Sequence, residues 1–407
     1  MLPAAGGTWP PPARSGWVAT WAAAPQQADA TASPEAYAGF SDQTVRNIIY
    51  TSVGGNELRV RVSNAFGTTP LRVGAVSVGV ALVGAQLVPG TSHKVTFRGK
   101  ASVTIPAGAE VLSDPLAMTV LPLQVLEVSI YLPAPTGPAT YHMDSLQTAY
   151  VASGDHAGDT AAAAYTTTKA NSWYFLDGLD VHNPAAPGTI VAFGDSITDG
   201  SQAVNGNARW PNYLARRLHA AFGGHAPAVV DEGISGNRVL SDSACYGQSA
   251  EARFARDALS QPGVKDVILL EGINDIGFSG EMDTGCFTPS NASVTAAQIE
   301  AGYRRLIRMA HARGVKIFAG TLTPFGGSNA VFHGNFGTAH GLALWEAVNA
   351  WIRASHAFDG VIDFARVVQD PYDPVYLNPA YNSYDNLHPN VVGYEAMAHS
   401  INLALLK

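Results

Sequence analysis

Two short segments hold residue types that can do nucleophilic chemistry. The first, Gly194-Asp195-Ser196-Ile197-Thr198-Asp199-Gly200, follows an apolar run at 189–193. A serine hydroxyl is a poor nucleophile until a base takes its proton, so Ser196 needs a histidine from elsewhere in the chain. The second segment, Asp385-Asn386-Leu387-His388, supplies one. An aspartate three residues before a histidine, in a loop, can bring its carboxylate to Nδ1–H. That fixes the tautomer and leaves Nε2 to accept the serine proton. Such a base works only when neutral, so activity is expected to rise through about pH 6 to 7 and stay high on the alkaline side. Each piece also has a bland reading. Ser196 could cap a turn, His388 could bond within its own loop, and Asp385 could cap the last helix.

Two further segments offer donors for a developing negative charge. Gly272-Ile273-Asn274-Asp275 follows the run at 266–270, and Gly233-Ile234-Ser235-Gly236-Asn237 follows the run at 228–230. The Asn274 side-chain N–H and a backbone N–H exposed by a glycine suit an oxyanion, where one donor is worth about 3 kcal/mol. Asp195, Arg209, Trp210, Arg238 and Glu271 flank these segments and are expected along a substrate cleft. Trp210 has the alternative of packing the first helix onto the sheet. Cys245 and Cys286 follow the second and third segments, so a disulfide is expected if the protein is exported, with free core thiols as the alternative. His333, His340, Asp363 and Asp373 show no recurrent ligand spacing, so neither a metal nor another cofactor is expected.

The elements that must position these residues fall into two halves. In the first, residues 57–63 alternate polar and apolar with the period of a half-buried strand. Further strands are expected at 45–51, 71–80, 94–97, 102–105, 125–132 and 140–143, separated by Gly- and Pro-rich turns. This pattern predicts an all-β sandwich of jelly-roll type over 17–182, behind a tail or linker at 1–16. Trp17, Ala19 and Trp21 are expected on one face of an opening strand, where the indoles cover the core or form a sugar platform. The junction at 183–188 leads into alternating strands and helices over 188–407. Strands are expected at 189–193, 228–230, 266–270, 315–319 and 361–364, and helices at 210–222, 250–259, 296–312, 342–355 and 391–406. Five such units imply a parallel sheet with helices on both faces, a three-layer α/β domain whose sites form at the carboxyl edge.

Composition sets outer bounds. Of 407 residues, 47% are hydrophobic and 14% charged, which excludes a disordered chain. The formal charge of −8 argues against nucleic acid as a partner. The uncharged stretch at 73–89 is broken by three glycines and reads as strand–turn–strand, not as a membrane span. Residues 1–12 have neither a basic nor an apolar signal region, so the protein is either cytosolic or, as expected here, secreted or periplasmic with its signal peptide outside this sequence. Asn291-Ala292-Ser293 fits a glycosylation sequon, which means little if the source is bacterial.

The order and spacing of the four segments resemble the SGNH hydrolases, or GDSL esterase/lipase family, from Gly188 to the end. The nucleophile segment has Ile197 where the family name has leucine. The resemblance implies Ser196 as nucleophile, His388 as base and Asp385 as its orienter. It implies an oxyanion hole of Ser196 N–H, Gly236 N–H and the Asn274 side chain. In the second segment the chain departs from the family, with Asp231-Glu232 where an asparagine is usual. Gly233 therefore remains an alternative to Gly236, which the Ser235-Gly236 step favours. Trp17-Val18-Ala19-Thr20-Trp21 and Gln43-Thr44-Val45-Arg46-Asn47 resemble the N-terminal domain of a secreted bacterial branch of arylesterases and carbohydrate esterases. The expected function is hydrolysis of short-chain, acetyl-type esters of saccharides or aryl alcohols. The alternatives are a longer-chain lipase or thioesterase, an acyltransferase, and a non-catalytic carbohydrate-binding protein.

Overall fold

A computed structural model describes residues 16–169, 171–203, 205–280, 286 and 293–406. The tail at 1–15 and Asn291 of the sequon lie outside the described residues. The chain divides into two compact units, one running to Ala185 and taking in Ser260–Gly263, the other holding the rest.

The first unit is built from antiparallel strands. One sheet runs Trp17–Ala22, Leu176–His182, Gly55–Asn64, Ala109–Leu112, with Leu116–Val120 also on Gly55–Asn64. A larger sheet centres on Gln43–Tyr50, Val125–Leu132 and Ala75–Val83. The alternation at 57–63 holds, with Leu58, Val60 and Val62 buried. The strand expected at 71–80 is two. Leu71–Val73 pairs with Val103–Ile105, and Ala75–Val83 pairs with Val125–Leu132. The break falls at Gly74, where a Cβ would crowd the Tyr131 ring. The single-face expectation for Trp17 and Trp21 also fails. Ala19 pairs with Asp180 but Trp21 with Leu179, so a bulge at Thr20 turns Trp21 to the opposite face. Arg59 lies over the Trp17 ring at 3.9 Å, and Trp21 meets Trp173 edge-on at 4.9 Å.

Arg46 is wholly buried in this unit. Its guanidinium donates to Ser129 Oγ at 2.7 Å, the Ala85 carbonyl at 2.5 Å and the Asp159 carbonyl at 2.6 Å. It lies 4.0 Å from the Tyr165 ring centroid and 3.5 Å from the Glu127 carboxylate. Burial pushes Glu127 up to about 7 against the pull of Arg46, and burial also lowers Arg46. Desolvation thus outweighs pairing for both partners.

The second unit has five parallel strands: β1 (Thr189–Gly194), β2 (Ala228–Gly233), β3 (Val264–Leu270), β4 (Lys316–Gly320) and β5 (Gly360–Ile362). Their spatial order is β2-β1-β3-β4-β5. β1 is buried at every position, as expected for a strand covered on both faces. The connecting helices are α1 (Ser196–Asp199), α2 (Trp210–Phe222), α3 (Ala250–Asp257), α4 (Ile273–Gly277), α5 (Ala296–His311), α6 (Ala339–Ala354), α7 (Phe364–Val368) and α8 (Val391–Ser400). α5 opens on a Thr295–Gln298 capping box and buries Ile299, Tyr303, Leu306, Ile307 and Ala310. The helix expected at 391–406 stops at Ser400. Arg217 donates to the carbonyls of Ala398 and Ile401, acceptors that a continuing helix would use, and Leu403–Leu406 forms a separate 3-10 turn. Among the described residues no helix is long and apolar enough to cross a membrane.

Candidate active site

Strand register brings the four segments together. Gly194, the last residue of β1, pairs with Gly233 on one side and Leu270 on the other. Ser196, Gly236 and Asn274 follow these three strand ends within two to four residues. They therefore emerge at one carboxyl edge, where β1 leads to β2 on one side and β3 leads to β4 on the other, so that the strand order reverses. Gly194 has no room for a Cβ, which would overlap the Leu270 carbonyl and Thr198. Only glycine permits this approach of backbone to the nucleophile turn.

Ser196 is the first residue of α1. Asp195 caps this helix, its carboxylate accepting the Ile197 N–H at 3.0 Å. At that first position the Ser196 N–H has no intrahelical acceptor. The Ser196 hydroxyl lies 2.8 Å from His388 Nε2, and His388 Nδ1 lies 2.7 Å from Asp385 Oδ2. The other Asp385 oxygen accepts the N–H groups of Leu387 and His388, each at 2.9 Å. The same carboxylate thus shapes the loop and orients the ring. Burial raises Asp385, but its bonds to His388 and these backbone N–H groups prevail and hold it down at about 2. The final helix is capped instead by Asn390, which accepts the Val392 and Gly393 N–H groups.

The side carrying Gly236 and Asn274 is equally constrained. Gly236 has φ +76°, and a Cβ there would overlap the Tyr246 ring. No hydrogen bond among the described residues takes up its N–H. Asn274 Nδ2 donates one hydrogen to the Asn237 carbonyl at 3.0 Å, which leaves its second for a ligand. Asn237 Nδ2 donates to the carbonyls of Tyr246 and Gln248, both at 2.8 Å. Asp199 accepts the Ser235 N–H at 3.1 Å, and Asp275 accepts the N–H groups of Val239 and Leu240. Burial pushes Asp275 up to about 6 despite those bonds. Cys245 and Cys286 are joined in a disulfide, and the Ala244 N–H and Ser243 hydroxyl both bond the Cys286 carbonyl.

Beneath the strand ends lies Arg253 of α3, wholly buried. Its Nε donates to Asn237 Oδ1 at 2.9 Å, Nη1 to the Glu232 carbonyl at 2.7 Å, and Nη2 to the Gly194 carbonyl at 2.9 Å. Asp257 lies 3.3 Å from Nη1, Glu271 3.5 Å from Nη2, and the guanidinium sits 3.9 Å from the Phe193 ring centroid. Burial drives Asp195 up to about 7 and Glu271 well above the usual carboxylate range, with mutual repulsion adding to both shifts through Asp275 and Asp195.

The cleft expected from sequence is corrected at five positions. Asp195, Trp210, Arg238 and Glu271 are all buried. Trp210 packs on Phe364 at 5.5 Å, the core alternative. Arg238 donates to the Asp242 carbonyl at 2.6 Å. Arg209, also expected there, is buried and donates to the Asp199 carbonyl. Adjacency to a motif does not fix the direction of a side chain. The residues nearer the site that sequence reasoning missed are Arg253, Asn237, Asp275 and Phe332, whose ring meets His388 edge-on at 6.0 Å. One signal was legible: Arg253 shares a helical face with Ala250, Phe254 and Asp257, all buried. Among the described residues no group of three His, Cys, Asp or Glu side chains is arranged to hold a metal.

Solved structures similar to this chain include a GDSL-like lipase from Bacteroides thetaiotaomicron, 19% identical over 54% of this chain and 88% of its own, with TM-score 0.38. A variant of an acetyl xylan esterase from Geobacillus stearothermophilus is 22% identical over 54% of this chain and 95% of its own, with TM-score 0.40. An alpha/beta hydrolase from the metagenome of Lake Arreo, Spain, is 22% identical over 54% and 95%, with TM-score 0.39. No curated protein matches. Residues 192–396 match the family model of GDSL-like lipases and acylhydrolases. That span holds all four segments and half of the sequence, so the chain belongs to the GDSL-like lipase/acylhydrolase family and is an ester hydrolase.

Proposed function

We propose that the protein hydrolyses short-chain carboxylic esters, acetyl esters above all, of saccharides or aryl alcohols, through an acyl-enzyme on Ser196. The observation that carries this reading is the unbroken chain from Ser196 Oγ to His388 Nε2 at 2.8 Å and from His388 Nδ1 to Asp385 at 2.7 Å. Ser196 attacks the ester carbonyl as His388 Nε2 takes its proton. The ionised Asp385 stabilises the imidazolium that forms. The tetrahedral oxyanion is held by the N–H groups of Ser196 and Gly236 and by the Asn274 side chain. His388 then gives its proton to the leaving alcohol. Water, activated by the same histidine, releases the acid and restores Ser196.

The alcohol departs beside His388, past the Phe332 ring, a flat apolar face that suits a sugar or an aryl group. The acyl preference and the alcohol classes rest on the likeness of residues 17–21 and 43–47 to the secreted branch of the family. In the same reading the β-rich unit is a jelly-roll-like sandwich over 17–182 attached to a flavodoxin-like domain over 188–407. The Cys245–Cys286 disulfide supports an oxidising, secreted or periplasmic setting. The test is hydrolysis of p-nitrophenyl esters from acetate to decanoate by wild type and Ser196→Ala. The expected result is activity that falls steeply beyond butyrate and is lost in the variant. Best turnover at octanoate or longer would replace the acyl assignment. Turnover unchanged in Ser196→Ala would overturn the mechanism.

A further inference from the structure

We infer that Arg253 is a positioning residue whose single guanidinium sets the spacing between the turn carrying Ser196 and the loop carrying Gly236, and so the geometry of the oxyanion hole. The inference rests on the ester-hydrolase reading above. Three of its donors go to three points of the site's frame. The Gly194 carbonyl ends β1 one residue before Asp195-Ser196. The Glu232 carbonyl lies one residue before the end of β2. Asn237 Oδ1 belongs to the residue next to Gly236. Asn237 passes the constraint on, because its backbone carbonyl accepts from Asn274. The N–H groups of Ser196 and Gly236 and the side chain of Asn274 are thus indexed to one rigid plane.

A lysine could not do this. Its ammonium is a point donor, whereas the guanidinium holds five N–H groups in a fixed fork. The aromatic floor of Phe193 fixes the plane from below, and the carboxyl groups of Asp257 and Glu271 flank Nη1 and Nη2. A displacement of a few tenths of an ångström between strand ends would leave substrate binding nearly intact. It would nevertheless misplace donors that act only in the transition state, so the loss belongs in kcat and not in KM.

The experiment measures kcat and KM for p-nitrophenyl acetate per active site, counted by titration with an organophosphorus serine probe. For Arg253→Lys, kcat per titrated site is expected to fall about 100-fold with KM within about threefold. Asn237→Ala keeps the arginine and its ion pairs but cuts the bond toward Gly236 along with the Nδ2 bonds to Tyr246 and Gln248. It is expected to lose about tenfold in kcat relative to Asn237→Asp, which loses only the Nδ2 bonds, with KM likewise unchanged. Should Arg253→Lys not fold, Asn237→Ala decides alone. The inference is overturned if the variants that fold keep kcat per titrated site within twofold of wild type, so that only the titratable fraction falls. It is also overturned if KM rises in step with any loss. Failure of the hydrolase reading looks different: wild type would then give no serine-dependent turnover and no probe adduct.

Discussion

Each unit of the molecule buries one arginine on the same plan. Arg46 and Arg253 both lie over an aromatic ring at about 4 Å, face a glutamate at 3.5 Å and donate to two backbone carbonyls and to side-chain oxygen, Ser129 for Arg46 and Asn237 and Asp257 for Arg253. The chemistry is the same, but the carbonyls differ. Arg46 reaches Ala85 and Asp159 in loops of the β-rich unit. Arg253 reaches Gly194 and Glu232, at the strand ends from which the Ser196 turn and the Gly236 loop depart. A buried guanidinium is therefore a generic clamp, and its functional meaning comes from what it clamps. Removing either should expose the difference, because one sets stability and the other sets stability and rate.

The largest expected effect lies at the reacting groups. His388→Ala should lower kcat by about 10⁴-fold or more with the fold intact, measured as initial rate and circular dichroism on the same preparation. Next comes the contrast itself. Arg46→Ala leaves Glu127 buried without its partner and should cost about 3–5 kcal/mol in denaturant unfolding, while kcat of the remaining folded protein stays at the wild-type value. A fall in kcat there would merge the two clamps into one role.

The pH dependence of stability sharpens the comparison further. Glu127 ionises at about 7 in the folded chain and near 4.5 by default, so the folded state holds its proton more tightly. Its contribution is full below pH 4.5 and is lost as pH rises to 7, a loss of about 3 kcal/mol. Glu127→Gln should flatten the unfolding free energy across that window. Asp385 behaves oppositely. It ionises at about 2 in place of 3.8, so its contribution is present above pH 3.8 and disappears as pH falls through 2. Asp385→Asn should remove that acid-side dependence and leave the Glu127 window untouched, which titrated melting curves would show. The smallest effect is expected for Gly236→Ala. The added methyl meets Tyr246 and an unfavourable φ, and a shift of the loop should lower kcat about tenfold.

Much of the second unit is legible in its sequence because the signals there are redundant. β1 is an apolar run closed by a glycine-flanked turn, and α5 repeats its buried positions at helical spacing. The Asp385–His388 spacing foretells a contact that depends only on three residues of local chain. What escapes the sequence depends on partners distant along it. The bulge at Thr20 is fixed by hydroxyl bonding to Val53, a segment 33 residues away, and this undoes the expected face of Trp21. The early end of α8 depends on Arg217, which belongs to another helix. Arg253 is the instructive miss. A charged residue on an otherwise buried helical face is ambiguous until its acceptors are known, and here they come from two strand ends. The buried positions of Glu271 and Trp210, which meet Arg253 and Phe364, have the same origin.

The most direct test of the central claim is to trap the acyl-enzyme. Intact and peptide mass spectrometry after brief exposure to p-nitrophenyl acetate, quenched in acid, reads which side chain is acylated. A single acetyl group on the peptide containing Ser196, lost in His388→Ala, is the expected result. Acylation at another residue, or the same adduct yield without His388, would contradict it.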